Sequence, residues 1–142
     1  MYRERVWPTP FWFIASLLLV PGGILALAPI NLALGIAVGI GLYVAEIAFL
    51  AAVSPRIEVT ASEFRAGRGR IERRFLGEAL ALDGEAAREA MGPSLDARAW
   101  LCVRGWVKPL VMVPLTDPND PTPYWLVSTR RPEALAAALN GS

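Results

Sequence analysis

Two apolar stretches near the start of the chain decide the fold: FWFIASLLLVPGGILALA at residues 11–28 and LALGIAVGIGLYVAEIAFLAAV at residues 32–53. A helix that crosses a bilayer needs about 20 predominantly apolar residues, with a range of about 17 to 25. Both stretches meet this requirement, and only Pro29-Ile30-Asn31 separates them. The sequence therefore predicts an antiparallel pair of transmembrane helices. The Pro21-Gly22-Gly23 triplet inside the first span should kink that helix or disrupt its backbone hydrogen bonds.

A cleaved signal peptide is the alternative interpretation of the first stretch. Arg3 and Arg5 precede the apolar run, and Ala26-Leu27-Ala28 matches the small-residue pattern of a cleavage site. However, Pro29 directly after that bond disfavours cleavage, and the second apolar stretch follows almost at once. A two-span hairpin is therefore favoured.

Charge is distributed very unevenly along the chain. Residues 6–55 contain a single charged side chain, Glu46, whereas residues 56–142 are highly charged and nearly balanced. Arginines flank both ends of the apolar pair and are missing from its connecting turn, so the positive-inside rule predicts that both termini are cytoplasmic and that the protein is a multi-pass protein of the plasma membrane. We accordingly divide the chain into a hairpin at residues 1–55 and a cytoplasmic domain at residues 56–142.

The composition excludes several functional classes. The 142-residue chain has no histidine and one cysteine, which rules out Ser-His-Asp and Cys-His nucleophile systems, histidine-containing iron sites, zinc knuckles and internal disulfides. A formal net charge of +1 also argues against a nucleic-acid binder, which usually has a strong basic excess. We expect a non-enzymatic protein without catalytic residues, metal or cofactor.

Gly35 and Gly39 in the second span have the GxxxG spacing that lets two helices approach closely. This spacing predicts helix packing at these residues. The packing partner is either the first span of the same chain, a second copy, or a helix of another protein.

Glu46 lies inside the second span, about 10 Å from its end at Val53 for a rise of about 1.5 Å per residue. An intramembrane carboxyl group is by default a functional-site hypothesis, because burying its charge is expensive. Three roles remain open: local hydrogen bonding, for which Tyr43 one turn earlier is a candidate, a polar contact with a partner protein, and ion or proton handling.

Residues 56–142 have a mainly β pattern that ends in a helix. Alternation and turn residues predict about seven strands, near 57–60, 63–66, 71–75, 79–82, 99–107, 110–115 and 124–129. A short helix is expected at residues 85–91, and a C-terminal helix should begin at Pro132. In the strand at 99–107, Trp100, Cys102, Arg104 and Trp106 should share one face.

A run of arginines follows the second span closely. Its members are Arg65, Arg68, Arg70, Arg73 and Arg74. Basic side chains beside an anionic leaflet contribute about 1 kcal/mol each, so the run is a candidate contact with the membrane surface. The alternative is a topology signal on an ordinary solvated face.

Three segments carry a family resemblance: YRERVWPTP at residues 2–10, DARAW at 96–100 and DPNDPTPYWLVSTRRP at 117–132. They resemble an actinobacterial membrane-protein family catalogued as a domain of unknown function, number 3093, which implies no established activity. The order of elements in the cytoplasmic part also resembles a bacterial pleckstrin-homology-type (PH-like) domain behind a two-helix anchor. The turn at Ala61-Ser62 lacks the basic cluster that holds inositol phosphates in eukaryotic relatives, so phosphoinositide binding is not implied.

The predicted fold is thus an α-helical transmembrane hairpin followed by a small α+β, PH-like domain of about seven strands with a C-terminal helix. The expected function is a membrane-anchored adaptor or scaffold that binds membrane lipid, another membrane or envelope protein, or a second copy. The alternative is a small accessory subunit of a transport or envelope-biosynthesis complex, in which Glu46 makes a polar contact.

Overall fold

A computed structural model describes residues 2–141, which fold as two compact units. The described residues of Met1–Val6 and Pro55–Ser142 form one unit, and Trp7–Ser54 form the other. The sequence-based division placed residues 1–55 together, whereas the structure joins residues 2–6 to the later unit because they form a strand there. Met1 and Ser142, the outermost residues of the two predicted domains, lie outside the described residues.

The elements alternate between helices and short strands. The helices are α1 (Pro10–Ser16), α2 (Leu19–Leu27), α3 (Leu32–Val53), α4 (Gly84–Met91) and α5 (Pro132–Gly141). The strands are β1 (Tyr2–Arg5), β2 (Arg56–Val59), β3 (Glu63–Ala66), β4 (Gly69–Glu72), β5 (Leu80–Leu82), β6 (Trp100–Cys102), β7 (Leu110–Pro114) and β8 (Tyr124–Ser128), with a 3-10 turn at Arg73–Phe75.

The helical unit consists of two long apolar segments that pack along each other. Pro10–Leu27, which contains α1 and α2, and Leu32–Val53, which is α3, are each long and apolar enough to cross a membrane. Few of their residues are buried, and large apolar side chains such as Phe11, Leu25 and Phe49 are 71%, 77% and 64% exposed. A core helix of a water-soluble protein would instead bury most of these side chains. The prediction of two long apolar helices is confirmed.

The first apolar segment is interrupted at Leu17 and Leu18, between α1 and α2. Pro21 has no N–H, so the Leu17 carbonyl cannot receive the hydrogen bond that a regular helix would supply. The Val20 N–H donates to that carbonyl instead, at 3.3 Å. The predicted disruption by the Pro-Gly-Gly triplet therefore occurs one turn before the proline.

The other unit contains two four-stranded sheets. The first has the order β1-β2-β3-β4 and is antiparallel throughout, and the second has the order β5-β7-β8-β6 with β6 parallel to β8. The helical segments are inserted between β1 and β2, which are adjacent strands. The Val6 N–H donates to the Pro55 carbonyl at 2.9 Å, so both connections to the helices leave from the same end of the first sheet.

The core of this unit is built from the facing sides of both sheets and from α5. Phe64 of β3 packs on Trp125 of β8 with a ring-centroid distance of 5.7 Å, and Leu135 of α5 is fully buried. Gly69 lies so close to the Trp100 and Trp125 rings that an added Cβ would be 2.7 Å from the former. The aromatic residues of the late strands thus serve mainly as core.

Three predictions about the strands need correction. The strand expected at 71–75 begins earlier, as β4, and a 3-10 turn takes the place of its second half at Arg73–Phe75. Residues 2–141 contain eight strands instead of about seven, because β1 precedes the helices and completes the first sheet. The predicted strand at 99–107 is limited to β6 because a turn follows it, in which the Val107 N–H donates to the Arg104 carbonyl at 3.0 Å. Arg104 and Trp106 therefore lie outside the strand. The result is a mixed α/β domain with two sheets.

Candidate functional site

The solvent-facing side of the first sheet gathers arginines from all four strands. Cross-strand register aligns Arg3, Glu58, Arg65 and Arg70 in one row, and it places Arg5 opposite Arg56 in the next. Adjacent strands are about 4.8 Å apart, so these side chains are close neighbours. We call this surface, together with the β3–β4 turn, the arginine face; its members are Arg3, Arg5, Arg56, Arg65, Arg68 and Arg70.

Burial alternation explains why these residues point outward. Phe64 and Ala66 of β3 are fully buried, and Arg65 between them is exposed. The same alternation buries Ile57 and Val59 of β2. Because the hydrophobic side chains of each strand face the core, the basic side chains at the alternate positions face solvent.

Like charges stand directly opposite each other on the arginine face. Arg65 pairs in register with Arg70, and Arg5 with Arg56. Such pairs are destabilising unless an anion offsets them. Glu63 compensates Arg65 at 3.1 Å, but within residues 2–141 Arg68 and Arg70 form no hydrogen bond or ion pair.

The end of the sheet where the chain enters the helices is the more basic end. Arg5 and Arg56 lie beside the two connections, and the Gly67 N–H donates to the Arg56 carbonyl at 2.9 Å, which brings the β3–β4 turn with Arg68 to the same end. Glu63 and Glu72 pair at the opposite end of the β3–β4 hairpin. Positive charge is thus concentrated at the end of the first sheet from which the chain leaves for the helices and to which it returns.

The predicted arginine run divides into two groups in the structure. Arg65, Arg68 and Arg70 belong to the arginine face. Arg73 is directed to the end of α5, where its guanidinium donates to the Ala138, Leu139 and Thr60 carbonyls at 3.0, 2.9 and 3.2 Å. Arg74 pairs with Glu72 at 2.7 Å.

Arg73→Ala is expected to destabilise the protein by about 3 kcal/mol, because it leaves three carbonyl groups without their charged donor. Arg68→Ala should change the free energy of unfolding by less than about 0.5 kcal/mol, as is usual for an exposed side chain. Urea denaturation followed by tryptophan fluorescence measures both. Equal effects of the two substitutions would contradict the division of the run.

A hydrogen-bonded junction that sequence reasoning missed joins the first and last segments of the chain. The Glu4 carboxylate accepts hydrogen bonds from the Tyr2 hydroxyl at 2.6 Å, from the hydroxyl of fully buried Thr129, and from the Arg130 N–H at 2.9 Å. Burial raises the pKa of the Tyr2 phenol, and the hydrogen bond to Glu4 acts in the same direction, so the phenol retains its proton. Arg131 lies over the Tyr2 ring at 5.2 Å. We call these five residues the Glu4 junction.

Tyr124 forms hydrogen bonds between the segment at residues 117–132 and the residues around Asp96. Its hydroxyl accepts a hydrogen bond from the Asp96 N–H at 2.8 Å and donates to the Ser94 carbonyl at 3.4 Å. The side-chain hydrogen bond from Arg98 holds the pKa of Asp96 below its usual value. Residues 2–10, 96–100 and 117–132, which lie far apart in sequence, are thus linked in space.

The comparison with known protein families covers nearly the whole chain. The family described as "Protein of unknown function (DUF3093)" matches residues 1–139. The chain belongs to the DUF3093 family. The family part of the predicted resemblance is thereby confirmed, and neither a curated protein nor a solved structure matches the chain.

In this DUF3093 protein, Gly35 and Gly39 lie in the contact between α2 and α3. A Cβ added to Gly39 would be 2.7 Å from the Val20 carbonyl oxygen, and one added to Gly35 would be 3.2 Å from that of Gly23. Gly23 faces Gly39 in turn, with an added Cβ 2.9 Å from the Gly39 Cα. The small residues therefore serve packing within the chain.

Glu46 lies on α3 and is only partly buried. Within residues 2–141 its side chain forms no hydrogen bond or ion pair, so the candidate contact with Tyr43 is not made. The carboxyl group is available to a group outside the chain.

Cys102 and the acidic side chains of residues 2–141 are the remaining candidates for reactive or metal-binding groups. Burial raises the pKa of the Cys102 thiol, which keeps it protonated and unreactive at neutral pH. Among residues 2–141, no three acidic or cysteine side chains converge in a way that could hold a metal ion.

Proposed function

We propose that this DUF3093 protein is a plasma-membrane module in which an apolar hairpin anchors the domain and the arginine face binds anionic lipid headgroups. The observation that carries this proposal is the concentration of like-charged arginines at the sheet end that connects to the apolar helices. Anionic headgroups supply the negative charge that Arg68 and Arg70 lack among residues 2–141. The module is a non-enzymatic adaptor that holds its remaining surfaces at the bilayer.

The topology of the first sheet supports a two-span anchor. Val6 and Pro55 are hydrogen-bonded neighbours, so the chain must return to the side of the membrane from which it left. This requires an even number of crossings, which the segments Pro10–Leu27 and Leu32–Val53 supply. The arginines on both flanks make the cytoplasmic side the favoured one. The PH-like character of the domain stays a prediction.

The expected strength of the lipid contact follows from the charges. Each basic side chain near an anionic leaflet contributes about 1 kcal/mol, so Arg65, Arg68 and Arg70 together contribute about 3 kcal/mol. This corresponds to roughly a hundredfold shift toward the membrane-bound orientation, because about 1.4 kcal/mol is a factor of ten. Because the apolar helices hold the domain at the membrane, its local concentration there is already high. A contact free energy of about 3 kcal/mol is therefore sufficient to keep the arginine face on the headgroups.

Hydrogen exchange of the full-length protein tests this contact. In nanodiscs that contain phosphatidylglycerol, the amides of residues 66–69 should exchange several-fold more slowly than in phosphatidylcholine nanodiscs, since lipid headgroups cover the β3–β4 turn. Replacing Arg65, Arg68 and Arg70 with glutamine should remove the difference.

The matched control replaces three exposed cations outside the arginine face, Arg88, Arg98 and Lys108, with glutamine. It lowers the net charge equally and should keep the lipid-dependent protection. The proposal fails if both triple variants behave alike or if the original protein shows no lipid dependence.

The unpaired Glu46 supports a second candidate function, that of an accessory subunit whose Glu46 contacts a polar group of a membrane partner. In that case Glu46→Leu should abolish complementation of a strain that lacks the gene, at unchanged expression. Glu46→Gln should retain part of it, because the amide still forms hydrogen bonds. Full complementation by both variants would reject this candidate.

A further inference from the structure

A cavity of about 440 Å³ lies between α4 and the segment at residues 103–110. Its volume is within the range of about 300 to 1,000 Å³ that is typical of small-molecule sites. Ala87, Val107 and Leu110 line it and are 5%, 4% and 1% exposed, so the floor is apolar and belongs to the packed interior. The cavity is on a different part of the domain from the arginine face.

Cationic side chains surround this apolar floor. Arg88, Arg104 and Lys108 line the cavity, whereas Asp83 is the one acidic residue among those that line it. The Asp83 carboxylate caps α4 by accepting a hydrogen bond from the Gly84 N–H at 2.7 Å, and it is one negative charge against three positive ones. The cavity therefore has an excess of positive charge.

The wall that carries Arg104 is held in place before any ligand binds. The Arg104 N–H donates to the hydroxyl of fully buried Ser128 at 2.9 Å, and its guanidinium donates to the Val103 carbonyl at 2.9 Å. The turn from Arg104 to Val107 is closed by a backbone hydrogen bond of 3.0 Å. Preorganised groups of this kind reduce the entropy lost on binding.

We propose that this cavity binds a small amphipathic anion, namely an aromatic or short alkyl body that bears one carboxylate. The apolar body fills the floor formed by Ala87, Val107 and Leu110, and the carboxylate lies against the cationic side chains. A neutral ligand would leave the excess charge unmatched, and a ligand without an apolar body would leave the space above the apolar floor unfilled. This cavity binds a water-soluble ligand, whereas the arginine face is proposed to bind lipid headgroups.

Equilibrium dialysis of the full-length protein in phosphatidylcholine nanodiscs, with 2-naphthoate as the probe and empty nanodiscs as the reference, tests the proposal. Saturable one-to-one binding above the reference is expected, and neutral 2-naphthamide should bind at least tenfold more weakly. The double substitution of Arg88 and Lys108 by glutamine should weaken 2-naphthoate binding at least tenfold, whereas the control Arg98→Gln outside the cavity should leave it unchanged.

A second pair of variants separates occupancy of the cavity from surface attraction. Ala87→Leu and Met91→Phe each fill the cavity and should abolish binding, and circular dichroism establishes which variant retains its fold. The proposal is overturned if binding does not exceed that of empty nanodiscs, if the amide binds as well as the carboxylate, or if a folded cavity-filling variant binds normally.

Discussion

Replacement of residues 7–54 with a short Gly-Ser linker is expected to yield a water-soluble domain that folds cooperatively, whereas the same protein without residues 1–6 should not fold. The linker has only to join Val6 to Pro55, whose backbone atoms already form a 2.9 Å hydrogen bond. The exposed apolar surface of the helices is removed at the same time. The domain retains both sheets and α5.

The N-terminal strand is essential because it contributes core as well as pairing. Val6 is fully buried and Tyr2 is 9% exposed, and burial of a large apolar side chain contributes about 1.5–3 kcal/mol. Glu4 adds the hydrogen bonds to Thr129 and Arg130, which are charge-assisted and contribute about 1.5–3 kcal/mol each. The sum approaches the total stability of a small domain, about 5–15 kcal/mol.

Thermal unfolding by circular dichroism and the elution volume on size exclusion measure this outcome. Glu4→Ala in the linked domain should give an intermediate result, a folded protein with a clearly lowered melting temperature, because β1 stays in place and only the Glu4 junction is lost. A folded domain of undiminished stability without residues 1–6 would contradict the assigned role of β1.

Gly39→Leu is expected to have the second large effect, loss of the close packing between α2 and α3. An added Cβ would be 2.7 Å from the Val20 carbonyl oxygen and 3.0 Å from the Val20 Cα, and backbone atoms cannot rotate away as a side-chain tip can. Overpacking usually costs about 1–3 kcal/mol, and a clash with backbone should reach the upper end of that range. The helices must separate along the whole contact.

Gly41 provides the matched control on the same helix. An added Cβ there has no atom within 4 Å, so Gly41→Leu should leave the hairpin intact. Heat denaturation in mild detergent, followed by size exclusion, compares the two variants. Equal melting temperatures for Gly39→Leu and the original protein would show that the α2–α3 contact is not needed for stability.

The elements that depend on local patterns could be predicted from the sequence. The span at residues 32–53 coincides with α3, and Glu63–Ala66 coincides with β3. Both are regular runs in which neighbouring residues determine hydrophobic periodicity. The long apolar helices, the C-terminal helix and most strands of the later part belong to this group.

The composition of the arginine face could be predicted only in part. The sequence places Arg65, Arg68 and Arg70 close together, but Arg73 in the same run caps α5. Arg5 and Arg56 are far apart in sequence and become neighbours through the pairing of β1 with β2. No local pattern distinguishes an arginine that faces solvent from one that reaches a helix end.

The sequence by itself determined two long apolar helices with a single charged residue and a highly charged domain after them, since these depend on hydrophobicity and on the spacing of residues along a short stretch. Tertiary structure alone decided that β1 belongs to the domain, that Glu4 joins Thr129, and that arginines from four strands form one face. The reason is physical. About fifty residues separate β1 from β2, so no local pattern sets their register. The register is selected because it buries Tyr2, Val6, Ile57 and Val59 on one side of the sheet, and a shift by one residue would expose all four.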